Sequence, residues 1–142
     1  RDQEHQILRR MSSTSPKTEI SAGMSPEDIM KARALVDTIY IDEKIERYIV
    51  DLVHATRDPG SIDQRLESLV EYGGSPRASL ALALCARANA FLDGRGYVVP
   101  QDVKDLALDV LRHRVATTYE AEAEEITTES VIDDILNTVK VP

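Results

Sequence analysis

Apolar residues recur at helical spacing along most of this chain. Between 42 and 57, Ile45, Ile49, Leu52 and Val53 stand at i, i+4, i+7 and i+8, the buried face of a helix that Asp42 caps and that ends near Arg57, before the turn Asp58-Pro59-Gly60. Earlier, Ser25-Pro26-Glu27-Asp28 supplies a cap, a proline at the first helical position and two acids for a helix reaching about Val36. Ile62, Leu66, Leu69 and Val70 keep the same spacing and predict a helix through 61–72 that stops at Gly73-Gly74. Ser75-Pro76 then opens a helix that Gly94 ends. Leu80, Leu82, Leu84, Cys85, Ala88, Phe91 and Leu92 ring that helix with apolar surface, which predicts a central position. Pro100 opens another, with Val103, Leu106, Ala107, Val110 and Leu111 on one face and the cations of 112–114 at its negative pole. Val131, Ile132, Ile135, Leu136 and Val139 give a last amphipathic helix.

Little of the chain breaks this pattern. Residues 38–41, Thr-Ile-Tyr-Ile, and 97–99, Tyr-Val-Val, read as brief strands that pair with each other. Residues 115–126 are acidic and weakly patterned. The first ten residues read as a turn or two of helix, and the Ser-, Thr-, Gly- and Pro-rich stretch after them as a linker, so residues 1–24 form an arm and 25–142 the body. The expected fold is therefore all-α, with five or six helices and one minor two-stranded pairing.

Composition sharpens this. The core must be aliphatic, because the chain has no Trp and one Phe among its 142 residues. A formal net charge of −8 repels a phosphate backbone, and no helix is basic enough to read DNA, so nucleic acid is excluded as a partner. No apolar run approaches the roughly 20 residues of a membrane span, and the charged N-terminus is no signal peptide. Membrane insertion is not expected. The single Cys85 cannot form an internal disulfide, which fits a reducing cytoplasm.

Most catalytic chemistry lacks its residues. His5, His54 and His113 are scattered and suggest no metal site, and Cys85 among alanines has no base to ionise it. Paired acids such as Asp133-Asp134 point in different directions on a helix. No GxxxxGK[ST] phosphate loop occurs. One residue is out of place. Arg77 stands in the first turn of its helix, where the unpaired amides already carry about half a positive charge and a cation costs roughly 0.3–1 kcal/mol. Either its side chain bends to a nearby carboxylate, or amides, dipole and guanidinium together await an anion.

The stretch Gly73 to Ala78 (GGSPRA), then Gly94 to Val103 (GRGYVVPQDV), then His113-Arg114 resembles the C-terminal lid of MoxR-type AAA+ ATPases, with segments GxSPRA, GR-x-YV-x-P-x-DV and HR in the same order. Residues 48–57 (YIVDLVHATR) and the final Val141-Pro142 match as well, so the likeness covers about 27–142. Gly74 stands where many relatives have Ala. The resemblance implies a helical lid in which Arg77 is the sensor 2 residue, reaching the γ-phosphate of ATP held with Mg2+ by a core domain. Pro76 and Ala78 would set the helix start against the nucleotide, and Tyr48 and Ile49 would lie on its adenine side, ordinary core packing being the alternative for these four. For Arg57 and Arg114, structural salt bridging is expected. The Walker loops and arginine finger belong to the core, so the piece alone should bind no nucleotide and catalyse nothing, residues 1–10 being the last core helix. Further implied are a ring, hexameric in the family, a chaperone-like task, and partners with von Willebrand A domains. A non-enzymatic helical adaptor docking through the acidic face of 115–139 is the rival reading.

Overall fold

The computed structural model describes residues 1–12 and 23–142; most of the expected linker lies outside the described residues. These fall into two units, Arg1–Lys31 and Ala32–Pro142. In the first, α1 (Asp2–Met11) is longer than the expected turn or two and leaves Ile7, Leu8 and Met11 exposed. Next comes α2 (Pro26–Val36), which starts as expected: Ser25 and Asp28 cap each other reciprocally, Ser25 Oγ accepting from the Asp28 amide and Asp28 Oδ2 from the Ser25 amide.

The second unit carries the core. Its main helices are α3 (Glu43–Arg57), α4 (Pro76–Leu92), α5 (Pro100–Leu111) and α7 (Thr128–Thr138), with the short α6 (Tyr119–Ala123) before the last. They close a circuit: α3 packs on α4 and α7, and α5 on the same two. Asp42 caps α3 by accepting from the Lys44 amide, and Thr127 caps α7 by accepting from Ser130. Ile45, Ile49, Leu52 and Val53 of α3 meet Leu82, Val103, Ile132 and Ile135 in one aliphatic core. The all-α class holds.

Three expectations need correction. No α-helix spans 61–72: two 3₁₀ turns, Pro59–Ser61 and Gln64–Leu66, lead into β1 (Val70–Tyr72), which pairs antiparallel with β2 (Ala116–Thr117). Asp63 caps the second turn, and in 3₁₀ geometry residues three apart eclipse, so Leu66 and Leu69 still reach the core. The pairing expected between 38–41 and 97–99 shrinks to one parallel bridge, Tyr40 to Tyr97, held by Tyr40 N–H to Gly96 O and Val98 N–H to Tyr40 O. Finally, α4 is not enclosed. Its buried stripe is Ala78, Leu82, Ala86 and Ala90, while Leu80 and Leu84 are 65% and 55% exposed.

Candidate functional site

The mouth of α4 is built from its predecessor. Thr56, fully buried near the end of α3, donates its hydroxyl to the Val53 carbonyl and accepts the Gly74 amide at 2.8 Å. One side chain thus ties the turn before α4 to α3. Gly73 lies so close that a Cβ there would overlap the Thr56 carbonyl and stand 2.6 Å from the Arg57 amide nitrogen. Gly74 is less confined: a Cβ would meet Ala78 Cβ at 3.3 Å and Thr56 Oγ1 at 3.4 Å. The turn is therefore anchored by backbone contact at its first glycine and by a hydrogen bond at its second.

Arg77 emerges from this anchored turn into solvent, and among the described residues its guanidinium has no ion pair or hydrogen-bond partner. Ser75 occupies the cap position but makes no side-chain cap bond, contrary to expectation, and no acid stands in the first turn. A positive helix end and a cation therefore stand together at the surface without a neutralising partner among the described residues. Pro76 beside it is exposed, whereas Ala78 is fully buried under the turn.

Tyr48 and Ile49 lie elsewhere on α3, both 2% exposed in the core. Tyr48 is eight residues before Thr56, about 12 Å along the helix. Its hydroxyl is buried with no partner among the described residues, and burial raises its pKa. Arg57 is exposed with no ion pair among the described residues, and Arg114 donates to the Val110 carbonyl at the end of α5. For neither is salt bridging observed; Arg114 caps a helix whose orphan carbonyls favour a cation.

The segment GR-x-YV-x-P-x-DV resolves into a lock between α4 and α5. Asp102 is 1% exposed and accepts from Arg95 at 2.8 and 2.5 Å, from Asn89 at 2.9 Å and from the Val99 amide at 2.8 Å. Gly94, at φ +72°, makes the left-handed stop that lets the Arg95 amide bond back to Ala90 and aims its side chain at Asp102. Burial pushes the Asp102 carboxyl upward, but the Arg95, Val99 and Asn89 hydrogen bonds outweigh it and hold its pKa below the ordinary value. Thr56, Asn89 and the Asp102 pairing were not singled out from the sequence; Thr56 is 18 residues from its partner, whereas the Arg95 and Asp102 spacing was there to be read.

Among the described residues, no group of three or more His, Cys, Asp or Glu could hold a metal ion, and no helix is long and apolar enough to cross a membrane.

The AAA lid domain family matches residues 62–135, from just after the first 3₁₀ turn into α7. The chain is 38% identical over 142 residues to the chaperone MoxR1 of Mycobacterium tuberculosis, covering 99% of this chain and 37% of that protein. It is 37% identical over 105 residues to the protein MoxR of Paracoccus denitrificans, covering 69% of this chain and 31% of the relative. A crystal structure of a candidate ATPase from Cytophaga hutchinsonii superposes with a TM-score of 0.89 at 37% identity, over 99% of this chain and 43% of that one. The chain thus spans less than half the length of each.

Proposed function

The chain belongs to the AAA lid domain family, in its MoxR-type branch, and from that premise we propose that it closes over ATP held by another part of a longer protein. The observation that carries the reading is the exposed guanidinium of Arg77, unpaired among the described residues, at a helix mouth with no acid in its first turn. A phosphate is the group that would satisfy amides, dipole and guanidinium at once. ATP with Mg2+ supplies the phosphoryl group, and this chain, which lacks a phosphate loop, supplies a cation to one end of it. Arg77 neutralises charge there, as the sensor 2 residue. Pro76 fixes the first turn, Ala78 and Thr56 hold that turn against α3, and Tyr48 and Ile49 support it from within the core.

On this reading residues 1–24 finish the core domain and lead into the lid, 25–142. The longer protein would hydrolyse ATP in the cytoplasm as a ring of neighbouring subunits, hexameric as the resemblance implies, with a chaperone-like role beside von Willebrand A domain partners. In the full-length protein, Arg77→Ala is expected to lower ATP turnover about tenfold or more, since one charge-assisted contact is worth about 1.5–3 kcal/mol. Turnover within about twofold of the parent would sink the role.

A further inference from the structure

Core packing does not account for the polar end of Tyr48. The residue is 2% exposed, yet its hydroxyl is buried and meets no partner among the described residues. A buried donor left without an acceptor is costly and rare enough in folded proteins to call for an explanation. Beside it, α3 and the segment that follows α7 border a cavity of about 470 Å³, lined by Lys44, Arg47, Tyr48, Asp51 and Lys140. Three cations thus line it against one acid, on a chain whose formal net charge is −8. Lys44 and Lys140 have no ion pair among the described residues. Arg47 pairs with Glu43, but both side chains are about three-quarters exposed, and such a pair gives way readily to a better-placed anion.

We propose that this cavity binds a small anion of two or more charges, whose phosphate or carboxylate oxygens accept from the Tyr48 hydroxyl while Lys44, Arg47 and Lys140 neutralise them. Hydrogen bonds to a charged acceptor are about twice as strong as neutral ones, and several cations around one buried donor favour a polyvalent anion over chloride. Ligand pockets run from about 300 to 1,000 Å³, so the cavity suits a molecule of metabolite size. The site does not depend on the reading of Arg77. Lys44 stands twelve residues before Thr56, about 18 Å along α3 from the turn that anchors the mouth of α4. Lys44, Arg47 and Tyr48 belong to α3, whereas Lys140 lies just past the end of α7. A bound anion therefore ties the tail of α7 to the first half of α3.

Titration of the 142-residue chain with pyrophosphate and with citrate, at an ionic strength held constant with NaCl and followed by the backbone amide resonances of residues 44–51 and 140, tests this. Saturable shifts at those amides are expected from at least one of the two acids. The thermal midpoint should rise by a few degrees with them, since a ligand that binds the folded state alone stabilises it. The tighter binder of the two shows whether the ligand carries phosphate or carboxylate. Tyr48→Phe removes one oxygen and little packing, so without ligand it should melt no lower than the parent, and it should bind about fivefold to tenfold more weakly. Lys44→Gln/Lys140→Gln should weaken binding about tenfold or more, whereas Arg77→Ala should leave it within about twofold. Shifts from neither acid at about 10 mM overturn the proposal, and so do equal shifts from NaCl alone. Binding that Arg77→Ala abolishes and the lysine variant keeps overturns it too, by placing the anion at the mouth of α4. A Tyr48→Phe chain that melts well below the parent would show that the hydroxyl is already satisfied, with the same result.

Discussion

Asp102 shows how a single buried charge can be a structural asset. Taking a carboxylate out of water is costly, and only full satisfaction makes it tolerable. Here four hydrogen bonds supply it from α4, the turn after it and the start of α5. Because the folded-state pKa lies below the unfolded one, the stabilisation is complete above the unfolded value and is lost as pH falls through the folded value. Asp102→Asn keeps the shape and removes the charge, leaving the Arg95 guanidinium with Asp93 as its remaining ion-pair partner. A loss of about 3 kcal/mol is expected at neutral pH, read as a fall of roughly 10 °C in thermal midpoint. Melts of variant and parent should converge as the pH drops below the ordinary carboxylate range. A gap of constant size down to acid would show that packing, and not the charge, is what Asp102 contributes. The sequence displayed Arg95 and Asp102 at a regular spacing, but nothing in it says that they meet; that depends on the left-handed turn at Gly94.

At the level of elements, starts and stops were more readable than interiors. Asp42, Ser25-Pro26 and Gly94 act where the sequence placed them, because caps are decided by a few neighbouring residues. The 61–72 segment misled because Val70 and Tyr72 pair with a strand some 45 residues later, a contact that helical spacing cannot display. Enclosure of α4 misled for a related reason: apolar residues on every side are compatible with one face left for a partner outside the chain. The turn joining α3 to α4 gives a sharper test of local geometry. Gly73→Ala sets a Cβ into the Thr56 carbonyl, a backbone atom that cannot swing aside, and is expected to cost about 2–3 kcal/mol. Gly74→Ala meets side-chain atoms of Ala78, Thr56 and Val53 at ordinary or slightly short range and no backbone, and should cost less than about 1 kcal/mol. Urea unfolding of the two variants measures this; equal losses would mean that the turn is not pinned on α3 as the structure places it.

Over the whole molecule, the class of fold and the kinship of the lid were legible because helical spacing and several short segments in fixed order both survive in the bare sequence. What was not legible is which charges are neutralised. The chain carries 25 acids against 17 Lys and Arg, and the ion pairs among the described residues lie mainly at the surface, where each contributes about 0–1 kcal/mol. Net repulsion should therefore outweigh surface attraction. Salt shortens the screening length from about 10 Å at 0.1 M to about 3 Å at 1 M, which relieves long-range repulsion first and reaches buried pairs least. Raising NaCl through that range is expected to lift the thermal midpoint by a few degrees, while the difference between parent and Asp102→Asn stays nearly constant, since Asp102 is shielded by the protein itself. A midpoint that falls with salt would mean that the surface pairs, and not the excess of acids, set the electrostatic balance of this fold.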